Sequence, residues 1–430
     1  MNAKRPLPRE AQPIATRAVS GVPQSLLALL LSALLLVSPW LLWTPVALAL
    51  NDAQALVVSS WSLVNQSFVD PARFDRVQWR RLRQKALERT INSSAEAYSA
   101  IEAMLEPLGD PYTRLLRPDD FDTLRSSTEG TVTGVGLQLA LHESDGTIVV
   151  VAPLEGSPAQ GAGIPSGSQV LAVEGQSADR LGLEATAAAL RGADGTDVHL
   201  SLLSPAGVRR EVTLERRRVD LQPVRYRLLE QSGHRLGYLR LSQFSETVPT
   251  AFQAAIEALD EAGMEGLILD LRNNSGGLVS AGLAVANDLI DNQPIVETVD
   301  RSGLGVPQQA GVGQLYGGQM LTLVNGGTAS ASEILGGALQ DDGRSELLGS
   351  KTFGKGLIQT LIALGDGSGL AVTVARYQTP SGRDIQNLGI VPDRPLAQPE
   401  PLNPGGPGDT WLEEAQDLLV QRLDTARARP

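Results

Sequence analysis

Ser330 and Lys355 lie in one glycine-rich stretch, residues 326–356, whose residue types suit nucleophilic chemistry assisted by an amine. Lysine is scarce in this chain. Of 36 cationic residues only Lys4, Lys85, Lys351 and Lys355 are lysines, and two of the four fall here. A guanidinium cannot lose its proton inside a protein, whereas burial can drive a lysine amine neutral and ready to accept one. To work near neutral pH the amine must fall from a reference value of about 10.4 to roughly 7–8. Ser330 sits between an apolar, strand-like run and a helix-like run, where helix N-terminal amides face incoming negative charge. The same serine opens the pattern Ser330-x-x-Glu333, a reciprocal helix cap in which the hydroxyl merely satisfies a backbone amide. The stretch by itself leaves nucleophile and cap even, with Ser332 a second candidate by position. Lys351 reads as a surface lysine. If residues 357 onward form a strand, Lys355 and Gln359 share a face, so Gln359 could orient the amine.

A second turn could complete such a site. Residues 270–277, Asp-Leu-Arg-Asn-Asn-Ser-Gly-Gly, end an apolar run in glycines whose free N–H groups could form half of an oxyanion hole. The amide of Ala331, beside Ser330, could supply the other half. Residues 349–355 also fit the start of a phosphate-binding loop, but Gly356 stands where Ser or Thr should hold magnesium, and a hairpin-like pattern follows instead of a helix. Nucleotide binding is therefore set aside. His142, His199 and His234 fall in no motif, and there is no cysteine, so neither a metal nor a cofactor is expected.

The elements that must position these residues are legible in outline. At 430 residues and 42% apolar content the chain can hold two or three domains with real cores. Its formal charge of −12, with no basic block, argues against nucleic-acid binding. Residues 1–49 carry Lys4, Arg5, Arg9 and Arg17, then an apolar run from residue 26 to 43, and end Ala47-Leu48-Ala49. That is a secretory signal pattern, with a retained anchor as the alternative. The N-terminal segment, residues 50–127, shows helical spacing over 51–106, interrupted at Pro71, and then the turn Leu-Gly-Asp-Pro-Tyr-Thr (108–113). Residues 128–217 alternate short β-type runs with Gly, Pro, Ser and Asp clusters, plus a helical stretch at 183–190. This module, opening on Gly134-Val135-Gly136-Leu137, resembles a PDZ domain, although Ser168 stands where that family usually has aspartate. The resemblance implies that the 134–137 loop receives a peptide's C-terminal carboxylate while the peptide adds as a strand. Residues 218–398 alternate strand and helix, with helices expected at 248–261, 278–290 and 330–339 and a hairpin at 357–377, which argues for a layered α/β domain. Residues 399–430 read as a Pro-rich linker and a helix.

Taken together, residues 108–113, 134–139, 271–274, 328–333 and 352–359 resemble the carboxyl-terminal processing proteases, serine–lysine peptidases with a PDZ domain inserted into a crotonase-like core. The fold class implied is an α/β, multidomain α+β protein with a layered protease core, an inserted PDZ domain and an N-terminal helical segment. Carried onto matching positions, the resemblance makes Ser330 the nucleophile and Lys355, 25 positions on, its base, and so decides against Ser332. Gln359 would orient the lysine, Glu333 and Asp341 would support the site, and Gly276 with Ala331 would be the oxyanion donors. Ser275 replaces the family's usual proline. The run at 366–377 looks most like the cyanobacterial and chloroplast branch, which trims the C-terminal extension of a photosystem II reaction-centre precursor. The reading is thus an exported endopeptidase, in the thylakoid lumen or periplasm, whose partners are C-terminal tails. Membrane proximity would come through the substrate or an uncleaved leader. The reading from another class is a silent PDZ scaffold that binds C-termini without cutting them.

Overall fold

The computed structural model describes residues 50–428 apart from 111, 129–130, 142–146, 155–156, 166, 221, 304 and 402–403. The expected leader, residues 1–49, and His142 lie outside the described residues. Asp52–Pro430 form one compact unit.

At its centre is a six-stranded sheet in the order Val224–Gln231, His234–Leu241, Gly266–Asp270, Gln319–Val324, Glu346–Gly349 and Arg394–Pro395. The first two strands form an antiparallel hairpin and every later pair is parallel. Parallel strands need crossover helices. The chain supplies them as Val248–Glu261, Val279–Leu289 and Ala331–Asp341, close to the expected spans. Side-chain alternation divides the strands between two cores. Leu239, Leu241, Leu267 and Leu269 pack with these helices, while Leu236, Tyr238, Ile268, Leu321 and Leu323 pack beneath the C-terminal helix Thr410–Arg427. The strand Gly266–Asp270 is accordingly buried at every position, as a central parallel strand covered on both faces must be.

A second sheet is built on the long strand Gly369–Gln378. Leu357–Ala363 pairs along one edge; Arg114–Leu116 and Pro294–Asp300 share the other, and Gly305–Gln309 extends the latter. The hairpin 294–309 was not expected. Its outer strand is exposed almost throughout and contains Pro307, so it carries no two-residue alternation to read. Behind this sheet, the helices Asp52–Ser67, Trp79–Leu87 and Ser94–Leu105 bury Val57, Val64, Trp79 and Ile101 against Leu364, Leu370 and Val372.

The β-rich module forms its own core around Val150, Val170, Val198 and Leu200. Its sheet runs Leu137–Leu141, Ile148–Pro153, Gln169–Val173, Asp197–Leu203, Arg209–Glu215, which leaves Leu137–Leu141 at an edge. The helix Ala178–Leu190 breaks at Gly182 (φ 78°, ψ 172°), so its regular part begins where helical spacing was legible. Ser168 is buried and donates its hydroxyl to the carbonyl of Pro165 at 2.7 Å. The chain enters and leaves the module through a two-stranded antiparallel ribbon, Thr131–Gly134 against Arg217–Asp220.

Candidate active site

Ser330 stands between strand Gln319–Val324 and helix Ala331–Asp341, with φ 56° and ψ −119°. Non-glycine residues avoid this region, at a cost of about 1–3 kcal/mol, and such strain gathers at functional sites. The helix start explains how the strain is held. Ser330 N–H donates to Glu333 Oε2 at 2.9 Å, and Glu333 N–H donates to the backbone carbonyl of Ser330 at 2.8 Å. The capping-box arrangement of Ser330 and Glu333 is present, yet the serine side chain makes no cap hydrogen bond, so its hydroxyl is not committed to the helix start. Ser332 is fully buried and donates its hydroxyl to the carbonyl of Asn274 at 2.9 Å. It is a structural residue.

Glu333 is the joint of the site. Its carboxylate is completely buried and accepts four hydrogen bonds: Ser330 N–H and Lys355 N–H on Oε2, and Thr352 Oγ1 (2.5 Å) and Gly354 N–H (2.8 Å) on Oε1. One side chain thus ties the serine turn to the lysine loop. Such charge-assisted bonds are about twice as strong as neutral ones. Tyr377 makes the tie a second time. Its buried hydroxyl lies 2.6 Å from the carbonyl oxygen of Lys355 and 3.0 Å from that of Ser330, so its single proton is shared between them. Sequence reading missed Tyr377, which looked like one more aromatic in a strand.

Lys355 is half-buried. Burial, and then the nearby positive charge of Arg114, lower its amine from the ordinary lysine value, against the opposing pull of Asp110 and Glu333. Its Nζ lies 5.0 Å from the centre of the Tyr112 ring. That ring is brought there by the 108–113 turn. Asp110 accepts Tyr112 N–H (3.1 Å) and Thr113 Oγ1 (2.7 Å), and Thr113 Oγ1 accepts Thr373 N–H at 3.0 Å, latching the turn to the long strand of the second sheet. Tyr112 and Arg114 were also missed as site residues; the turn itself was legible. Lys351, by contrast, is exposed, as expected.

The other expected residues divide. Gly276 (φ +100°) touches the Ser330 turn: a Cβ there would lie 2.8 Å from Ser330 Cβ, so only glycine fits. Its N–H, expected as an oxyanion donor, instead donates to Asn274 Oδ1 at 3.0 Å. The N–H of Ala331, at the first helical position, has no hydrogen-bond partner among the described residues. Asn274, fully buried, holds the two turns together. Its Nδ2 donates to Leu241 O, and its carbonyl accepts Ala329 N–H and Ser332 Oγ. Gln359 makes no hydrogen bond to Lys355; its amide nitrogen lies 3.5 Å from Thr373 Oγ1 across the hairpin. Lys355 precedes the strand that begins at Leu357, so strand alternation does not set its direction. Asp341 does not support the site directly. It ends the helix that Ser330 opens, about 15 Å away at 1.5 Å per residue. There it accepts Ser381 N–H (2.9 Å) and pairs with Arg383. Although burial pushes its carboxyl up, Thr379, Ser381 and Arg383 hold it below the ordinary value.

Beneath the 270–277 turn lies a buried ion cluster. Arg272 is fully buried and clamps Asp270 (2.9 and 2.6 Å) on one side and Asp409 (2.9 and 2.6 Å) on the other. Burial alone would raise the Asp270 carboxyl, but Arg272 and Arg240 bring it down to about 2. Asp409 also caps the C-terminal helix, accepting Leu412 N–H at 3.1 Å. The helix is thereby fixed to the strand that carries the turn.

In the PDZ-like module, Gly134, Val135 and Gly136 are buried and Leu137 is half-buried. Gly136 (φ +74°) packs against Ser157, where a Cβ would lie 2.2 Å from the serine Cβ. Among the described residues no group of acidic, histidine or cysteine side chains could hold a metal, and no helix is long and apolar enough to cross a membrane.

Two sequence profiles match this chain: peptidase family S41 over residues 235–396 and the PDZ domain over residues 123–203. A carboxyl-terminal-processing protease of Picosynechococcus is 45% identical over 380 residues, 87% of this chain and 91% of that protein. The chain belongs to the carboxyl-terminal-processing proteases of peptidase family S41. A chloroplastic C-terminal processing peptidase of Tetradesmus obliquus is 38% identical over 371 residues, 83% of this chain and 80% of that protein. Among solved structures, a photosystem II D1 C-terminal processing protease superposes with a TM-score of 0.66 at 36% identity, covering 82% of this chain and 96% of that one. This S41 peptidase thus carries the protease core and PDZ domain expected of it.

Proposed function

We propose that this peptidase cuts C-terminal tails with Ser330 as nucleophile and Lys355 as general base. The carrying observation is that one buried carboxylate, Glu333, binds the backbone of both residues, while burial and Arg114 lower the lysine amine. The amine takes the serine proton as Oγ attacks the scissile carbonyl carbon, then gives it to the leaving nitrogen, so an acyl-enzyme forms and water releases it. Ala331 N–H is the standing oxyanion donor; Gly276 N–H joins it by turning from Asn274 when substrate arrives. The 134–137 loop holds the tail's carboxylate while the tail lies along the edge strand Leu137–Leu141.

The substrate that best fits the relatives' names is the C-terminal extension of the photosystem II D1 precursor, met by an exported enzyme in the thylakoid lumen or periplasm. Cleavage of a tailed peptide tests the dyad. Ser330→Ala and Lys355→Arg should each lose more than about a thousandfold in kcat, since arginine keeps the charge but cannot accept the proton. Wild-type turnover by either variant sinks the assignment. Mass spectrometry of protein C-termini from cells with and without the enzyme checks the substrate.

A further inference from the structure

The N-terminal helices carry a charge pattern that the peptidase chemistry does not use. Between Arg73 and Arg89 stand seven basic residues against Asp75 and Glu88, in a chain of formal charge −12. Arg80, Arg81, Lys85 and Arg89 are exposed; Arg81 and Lys85 lie one turn apart on helix Trp79–Leu87. Several exposed arginines elsewhere are paired, as in Arg117–Glu102, Arg125–Asp122, Arg209–Glu211 and Arg394–Glu346, and within the basic run Arg73 and Arg76 pair with Asp70. On this helix Arg80 and Lys85, and just past its end Arg89, make no side-chain hydrogen bond or ion pair among the described residues, and Arg81 meets only the neutral Gln78 at 3.3 Å. Beside them the half-buried Trp61 stacks on Trp79 at 6.3 Å and carries the Arg83 guanidinium 4.4 Å above its ring.

We infer that this face docks the enzyme on an anionic lipid surface. Unpaired cations grouped on one exposed helix, in an otherwise acidic protein, are a footprint for a negative partner, and each such cation strengthens binding to an anionic bilayer. A specific protein interface would need apolar anchors at its centre. The exposed large apolar residues, such as Tyr226, Val312, Phe353, Leu388 and Val391, all lie off this bundle, where none is found between Asp52 and Leu105. Tryptophan at the border of the basic face suits the headgroup region. Docking of this kind would keep the enzyme beside tails that emerge from a membrane.

Flotation of the chain from Leu50 onward tests this, because Asp52–Pro430 is one compact unit and the apolar leader is then absent. It should float with vesicles of phosphatidylcholine and phosphatidylglycerol, not with phosphatidylcholine alone, and should be released by high salt. The combined variant Arg80→Gln, Arg81→Gln, Lys85→Gln should bind about a hundredfold more weakly. It should still cleave a soluble tailed peptide at the wild-type rate, which shows that it is folded and separates this inference from the Ser330–Lys355 assignment. Equal flotation with neutral vesicles, or flotation unchanged in the variant, overturns the proposal. So does binding only to membranes that retain their proteins, which would assign the face to an acidic protein partner.

Discussion

In the protease core, Ser330 and Lys355 are fixed by N–H groups converging on one buried carboxylate and by one shared tyrosine hydroxyl. In the PDZ module, the 134–137 loop is held at its carbonyls: Val135 O accepts Ala159 N–H at 3.0 Å, and Gly136 O accepts Leu154 N–H at 2.8 Å. The core turn is further braced by the Arg272 ion cluster, whereas the module joins the rest of the chain through a two-stranded ribbon. The difference follows from the tasks. Bond making requires two side chains in a fixed relation, since small misplacements cost large factors in rate. Capture of a tail requires only a sheet edge and a loop, and tolerates motion of the whole module.

The comparison can be broken from the core side first. Asp409→Ala leaves the Arg272 guanidinium buried with half its partners, so global stability should fall by about 3–5 kcal/mol in chemical denaturation. A loss under 1 kcal/mol would show that the C-terminal helix does not brace the turn. The native interactions of Asp270 hold its carboxyl down to about 2, so their contribution is present above the unfolded value near 3.8 and disappears as pH falls through about 2. From the module side, Gly136→Ala strains the loop and drives a Cβ into Ser157. It should raise KM about tenfold or more for peptides with a free C-terminus and leave C-terminally amidated peptides unaffected. An equal effect on both peptides would mean that the loop does not read the carboxylate.

Two smaller effects sharpen the picture of the core. Tyr377→Phe removes one shared proton from the carbonyls of Ser330 and Lys355. It should lower kcat about five- to tenfold with KM nearly unchanged, comparable to one buried hydrogen bond; an unchanged kcat would leave Glu333 as the sole tie. Arg114→Gln removes a cation that depresses the Lys355 amine. If Lys355 is the base, as proposed, it works only when neutral, so activity should rise with pH through the amine's pKa, and this variant should move that acid limb upward by less than about one pH unit. A downward move would contradict the assigned sign.

Helix and strand order in the core were legible because buried parallel strands are continuous apolar runs and their crossover helices repeat at helical spacing. The hairpin 294–309 was illegible for the converse reason: an exposed edge strand has no buried face to impose alternation. Asp341 shows the limit of carrying a role along a motif, since it lies at the far end of an eleven-residue helix from the serine it was expected to support. Gly276 does lie against Ser330, but its N–H goes to Asn274, and the amide of Gln359, expected to orient the lysine, goes to Thr373.

Residue type alone determined that a lysine, retained where arginine is the rule, could serve as base, and that Ser330 opens a helix. The tertiary structure added what residue type could not, namely that the Ser332 hydroxyl is already spent on the carbonyl of Asn274. It also supplied the surroundings that lower the Lys355 amine, with Tyr112 and Arg114 brought from more than two hundred positions away. Desolvation and neighbouring charge are properties of space, and chain order does not encode them locally.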